Sequence, residues 1–152
     1  MSGKGLATGF SSPDESPGLL LWQVANRWQA TQRAALKPYD LTHVQFVLLA
    51  ALTWLTAEGP VTQKHLAELA ATDPMMTSQV LRVLEERGYV HRLPHPEDRR
   101  ARALAVTDAG RELANRAVRA VEAADAAYFA ALGDRADAFT TDLRALRAPR
   151  PL

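Results

Sequence analysis

Between residues 17 and about 37 the apolar side chains Leu20, Leu21, Val24, Ala25 and Trp28 recur at spacings of three and four, with Gln23, Asn26, Arg27 and Arg33 elsewhere. That period predicts an amphipathic helix in need of a partner. Pro38 ends it, and Thr42 with Gln45 forms a capping box opening a second helix, whose Phe46, Leu49, Ala50 and Leu52 make a broad apolar face. Gly59 and Pro60 stop this helix. Residues 61–71 read as a short helix with Thr62 as its cap and Leu66, Leu69 and Ala70 inward. A tight connection at Thr72 and Asp73 leads into a fourth helix, with Asp73 as N-cap, Pro74 at the first helical position and Gly88 at the end. On this helix Thr77, Val80, Leu81 and Leu84 share one side, while Met75, Ser78, Gln79, Arg82 and Glu86 share the other.

The pattern then changes to two short runs, 89–93 and 102–107, suited to a hairpin. They are separated by Pro94, His95, Pro96, Glu97, Asp98, Arg99 and Arg100, a composition suited to an exposed tip. Thr107 caps a long alanine-rich helix, 108–131, whose Leu113, Ala117, Val121, Ala124 and Phe129 form a narrow stripe that lets another helix approach closely. Gly133 breaks it, and 134–147 form a last helix with Phe139, Leu143 and Leu146 on one face, ending before Pro149.

Two short helices joined by a tight turn make a helix-turn-helix. The fold class is therefore mainly α with a small β-wing: a winged helix-turn-helix flanked by N- and C-terminal helices. Residues 1–16, rich in Gly, Ser and Thr without periodicity, read as a flexible tail. Residues 17–152 form one unit, with 17–40 and 108–148 as dimerisation helices around a lobe at 41–107. The flanking helices leave apolar faces that a second copy would bury, which predicts a symmetric homodimer.

Composition narrows the chemistry. The 152 residues are 47% hydrophobic and 23% charged, ordinary globular values, and suit one domain with a real core. The absence of cysteine excludes disulfides, thiolate metal sites and thiol-based redox sensing, and fits a cytoplasmic location. No apolar run approaches membrane-spanning length. Net charge is only +1, so affinity for nucleic acid has to rest on local placement of charge. Of 18 basic residues only Lys4, Lys37 and Lys64 are lysines, an arginine excess that groove reading and GC-rich codon usage would both produce.

In order along the chain stand Leu41-Thr42 followed by Gln45, then Leu66-Ala67, Leu84-Glu85 followed by Gly88-Tyr89-Val90, Asp98-Arg99-Arg100, and Val106-Thr107 followed by Gly110. Their order and spacing resemble the MarR family of bacterial transcription regulators over nearly the whole chain. The resemblance implies a homodimeric, sequence-specific regulator of double-stranded DNA, most often a repressor, that binds a pseudo-palindromic operator and is usually released by a small-molecule ligand; with thiol oxidation excluded, ligand release or no effector at all stay open. Residues suited to base reading are Met75, Ser78, Gln79 and Arg82: Gln pairs with adenine, Arg with guanine, and Met meets a thymine methyl. Met76 is left out, as a residue that equally suits the seam between helices. In the wing the resemblance implies Asp98 as a brace and Arg100 in the minor groove, with Arg99 as a phosphate contact or a substitute for Arg100, and a solvated charge cluster as the alternative. Thr62, Gln63 and Lys64 begin a helix where free N–H groups and a hydroxyl can hold a phosphate.

For the effector, the resemblance points to the junction of the flanking helices and the lobe. Trp22, Trp28, His43, Phe46 and Trp54 are the candidate lining, with ordinary core packing as the alternative for each. His91, His95, Glu97 and Asp98 contain suitable zinc ligands, but a strand and a proline-flanked tip do not bring them to one point, so no metal is expected. No phosphate loop, activated nucleophile or zinc-protease motif is present, so neither an enzyme nor a cofactor is expected. The competing reading is a MarR-like dimer that serves as a protein-interaction module without specific DNA binding, in keeping with the near-neutral charge.

Overall fold

The computed structural model describes residues 5–148; positions 1–4 of the expected tail and 149–152 at the expected C-terminal limit lie outside the described residues. A single 3-10 turn, Pro13–Glu15, precedes α1 (Pro17–Leu36), whose N-terminus is capped by Ser16 Oγ accepting from the Leu19 amide at 3.2 Å. The sequence pattern showed neither, because a one-turn helix has no period. After a second 3-10 turn at Lys37–Tyr39, α2 (His43–Thr56) opens with the full capping box: Thr42 Oγ1 accepts from the Gln45 amide at 3.2 Å, and Gln45 Oε1 accepts from the Thr42 amide at 3.0 Å.

Val61 and Thr62 are not the first turn of a helix. They form strand β1 (Val61–Thr62), and α3 follows as Gln63–Ala70. Helix α4 is Pro74–Glu86, and β2 (Val90–Pro94) and β3 (Arg102–Val106) form the hairpin. The sheet order is β1-β3-β2, antiparallel throughout, with Val61 opposite Leu104, Val90 opposite Val106 and Pro94 opposite Arg102. Helix α5 runs Asp108–Phe129, two residues short of expectation. The chain continues as a 3-10 turn to Arg135 through Gly133 at φ 58°, so α6 is Ala136–Arg147, not a helix from Asp134.

One apolar core joins these elements. Leu36, Leu48, Leu49, Leu52, Leu66, Leu81, Leu84 and Val90 are fully buried, with α2 at the centre against α1, α3, α4, β3 and α5. Burying each such side chain contributes about 1.5–3 kcal/mol. On α3 Leu66 and Ala67 are buried and Ala70 packs partly buried against the core; Leu69, expected inward, is 55% exposed, because an eight-residue helix buries only one narrow side.

Two glycines fix how the wing leaves the lobe. At the end of α4, Gly88 has φ +80°, its amide donates to Glu85 O at 3.0 Å, and the Tyr89 amide reaches back to Leu84 O at 2.9 Å. This is the paired hydrogen bonding of a Schellman turn, which a left-handed glycine permits at low cost. Gly110 has a steric role: a Cβ there would overlap the Tyr89 carbonyl. Thr107 completes the junction, accepting from the Gly110 amide at 2.9 Å while donating its hydroxyl proton to Gly88 O at 2.7 Å. The start of α5 is thereby pinned to the turn between α4 and β2.

Candidate nucleic-acid interface

The turn between α3 and α4 sets how the second helix is presented. Ala71 caps α3 in the left-handed region at φ 53°, and the Thr72 amide donates to Ala67 O at 3.1 Å. Asp73 Oδ1 then accepts from the Met76 amide at 2.8 Å, capping α4. Thr77 is fully buried beneath this turn, donating its hydroxyl proton to Asp73 O at 2.8 Å. With that proton committed, the 2.7 Å contact between the Thr72 and Thr77 hydroxyls has Thr72 as donor.

Thr77, Leu81 and Leu84 face the core, and Val80 is half-buried beside them. Met75, Gln79 and Arg82 lie exposed on the other side, at the N-terminal and middle turns of α4. Ser78 is half-buried, and its carbonyl accepts from Arg92, so its backbone faces the wing. Met76 is 43% exposed and does not plug the helix seam; it stands beside Met75 as a further surface thioether.

The wing tip is built from its own short contacts. Asp98 Oδ1 accepts from the Arg100 amide at 2.9 Å, and Asp98 O accepts from the Ala101 amide at 3.2 Å. His95 is the second organiser: its Nδ1 accepts from the amides of both Glu97 and Asp98 at 3.1 Å, and its own amide donates to Ala101 O at 3.3 Å. The one trace of this role in the sequence is a histidine two residues before an acid in a tight loop. Arg99 and Arg100 are left exposed at the far end. Among the described residues no group of three or more His, Asp or Glu side chains is arranged to hold a metal ion.

At the start of α3, Thr62 Oγ1 accepts from the His65 amide at 3.1 Å, so its hydroxyl proton remains free to donate outward. Gln63 and Lys64 line a cleft of about 620 Å³ with Ala67, Glu68, Ala71, Thr72 and Pro74, beside the N-terminus of α4.

Two arginines missed by sequence reading tie the lobe together. Arg87 pairs with Asp40 at 3.3 Å, donates to Gln45 Oε1 at 3.4 Å and lies over the Tyr89 ring. Arg92 on β2 pairs with Glu85 at 3.4 Å and donates to Ser78 O at 3.2 Å. Only the partner positions, not the arginines' own neighbours in sequence, would have shown either.

The expected effector lining does not come together as a group of five. Trp28 and His43 meet edge to face with ring centroids 5.1 Å apart, but Phe46 is a core residue, and Trp22 and Trp54 are 69% and 78% exposed. Trp54 follows His43 by eleven helical residues, about 16 Å along the axis, so one small ligand cannot touch both. The structure adds instead two polar residues. Trp28 Nε1 and Gln32 Nε2 both donate to Asp125 Oδ1 at 2.8 Å, joining α1 to α5. Gln32 is fully buried, and its Oε1 has no hydrogen-bond partner among the described residues. Burial lowers the His43 pKa, an effect that Asp125 opposes and Arg33 reinforces.

A helix offered by a rigid turn, with a braced arginine loop beside it, defines a winged helix-turn-helix protein. Known proteins agree with this class. The MarR family model matches residues 41–101, from the start of α2 to the wing tip. The chain is 46% identical to the HTH-type transcriptional regulator YdcH of Bacillus subtilis over 80% of its own length and 84% of that protein's. It is 36% identical to an HTH-type transcriptional repressor of Mycobacterium tuberculosis over 78% of its length and 84% of that protein's. Among solved structures, CouR from Rhodococcus jostii RHA1, bound to p-coumaroyl-CoA, superposes with a TM-score of 0.82 at 30% identity, covering 94% of this chain and 99% of that one. The chain belongs to the MarR family and is a DNA-binding transcription regulator. The competing reading as an interaction module without specific DNA binding is set aside by that membership.

Proposed function

We propose that the protein is a repressor that binds a pseudo-palindromic operator as a symmetric homodimer and is released by a small organic ligand. The observation that carries the reading is the arrangement of α4 and the wing. Met75, Gln79 and Arg82 stand free on the face opposite the buried Thr77, Leu81 and Leu84, while Arg99 and Arg100 are held out on a loop braced by Asp98 and His95. Gln79 and Arg82 read base edges in the major groove, Arg100 enters the minor groove and Arg99 meets phosphate. Thr62, Gln63 and Lys64 hold the backbone in register. The reading assigns the protein no catalytic activity or metal, and it places the protein in the cytoplasm with the DNA.

The effector site centres on Trp28, His43, Gln32 and Asp125, where α1, α2 and α5 meet. Gln32 Oε1 is sealed from solvent, so a planar ligand carrying one donor would satisfy it and stack on Trp28 only as α1 moves away from α5. Its entry shifts α1 against the lobe, altering the separation of the two recognition helices. The similarity to a protein solved with an aromatic acyl-CoA supports an aromatic ligand class.

Titration of operator binding with salt tests the proposal. Affinity falls steeply if several phosphates are engaged, by about a thousandfold or more between 50 and 200 mM for six or more contacts. Arg100→Ala weakens binding to all sequences, whereas Gln79→Ala relaxes preference at one base position in each half-site, by about 1–3 kcal/mol. A flat salt response, or parental binding by both variants, overturns the assignment.

A further inference from the structure

Arg92 lies on neither the reading face of α4 nor the wing tip, yet its guanidinium makes polar contacts from the wing to α4. Strand β2 alternates, so that Val90 and Arg92 share the face turned inward and His91 and Leu93 are exposed. The guanidinium uses Nε toward Glu85 Oε2 at 3.4 Å and Nη2 toward Ser78 O at 3.2 Å, with its side chain 29% exposed. Ser78 and Glu85 are seven residues apart, two turns of helix, and therefore face the same way. Glu85 leans back toward the helix N-terminus, where one arginine fork meets both acceptors. The turn it holds, Ser78 to Arg82, is the one that carries three of the four residues expected to read bases.

The base of the wing is fixed by the Gly88 turn, by Thr107 and by the pairing of β3 with β1 over the core. Farther out those restraints end, and the tip, residues 95–101, extends past the last paired positions Pro94 and Arg102, which leaves Arg92 as the side chain that ties the outer part of β2 to α4. We propose that Arg92 is a positioning residue that fixes the angle between the wing and the recognition helix, so that Arg100 meets the minor groove in the register at which Gln79 and Arg82 meet the major groove. The second half of this statement rests on the DNA contacts proposed above; the first half does not.

The two halves are tested separately. Because the chain has no cysteine, Glu86→Cys and Glu97→Cys place one spin label at the end of α4 and one on the wing tip. The labelled chain is diluted with unlabelled chain so that each dimer carries one labelled protomer. In DNA-free protein the parent gives one narrow distance distribution, and Arg92→Ala broadens it. Glu85→Ala, which leaves the arginine and its aliphatic stem in place, broadens it less, and serves alone if Arg92→Ala does not fold. Superimposable distributions overturn the proposal whatever the protein does with DNA.

On the operator, Arg100→Ala costs about tenfold or more in the parent and less than about twofold in the Arg92→Ala background. Gln79→Ala costs the same in both, which a general loss of stability would not produce. An Arg100 cost that is equal in the two backgrounds overturns the shared register. If Arg100→Ala is silent in the parent, the wing contact proposed above is what fails, and the label distances alone decide the role of Arg92.

Discussion

His43 shows how one side chain carries both a packing role and a pH response. It begins α2, meets the Trp28 ring in a T-shaped contact, and is held below its ordinary pKa of about 6.5 chiefly by burial, with Asp125 opposing the effect and Arg33 adding to it. The folded state therefore binds fewer protons at this site than the unfolded chain does. Stability is complete above about pH 6.5 and is lost as pH falls from there through the lowered folded value. Urea midpoints measured from pH 7.5 to 5 should fall for the parent, and His43→Gln should flatten that part of the profile. A parallel decline in both would assign the acid sensitivity to other groups. His43 was legible in the sequence as a candidate, but the carboxylate that opposes its shift was not. Asp125 lies 82 positions away, on the helix that the alanine pattern identified only as a close-packing stripe.

Among the elements, the turn from α3 to α4 holds the clearest local strain. Ala71 occupies the left-handed region, where a Cβ costs about 1–2 kcal/mol, and only the surrounding hydrogen bonds keep it there. Glycine at this position removes that cost and loses part of the gain to greater freedom in the unfolded chain. Ala71→Gly should therefore raise stability by a net of about 0.5–1 kcal/mol, seen as a higher melting temperature, with operator specificity unchanged. A lower melting temperature would mean that the methyl group packs usefully in the cleft it lines with Gln63 and Lys64.

Element type was readable wherever a cap and a period agreed, as at Thr42 with Gln45, Asp73 with Pro74, and Thr107 with Gly110. It was misread at Val61, because a two-residue strand has no period and its existence depends on Leu104, more than forty positions on. For the same reason the roles of Arg87 and Arg92 were hidden. A charged residue in a half-exposed strand or cap has no sequence signature for the partner it will meet.

At the scale of the whole molecule, a net charge of +1 leaves DNA affinity to locally placed arginines, and a second copy would double the phosphates engaged. The described surface has the means for that pairing. Leu20, Leu21, Trp22 and Val24 on α1 and Leu143 and Leu146 on α6 are all exposed, and they belong to helices that the lobe leaves uncovered. The terminal helices were legible as unpartnered from their apolar spacing alone; how far apart they hold two recognition helices is a property of two chains and not of one. In the proposed dimer each protomer supplies one half-site, about one helical turn from the other. Leu146→Glu should place a charge in the apolar face of α6 and shift the protein toward monomer in sedimentation equilibrium, with helix content retained. The variant's residual DNA binding should keep the base preference set by Gln79 while its salt slope falls to about half the parental value, because half the phosphates are engaged. A dimer that persists with an unchanged slope would move the interface away from α6. A monomer with the full slope would show that a single lobe makes all the contacts, and the symmetric operator would then be the part of the reading to abandon.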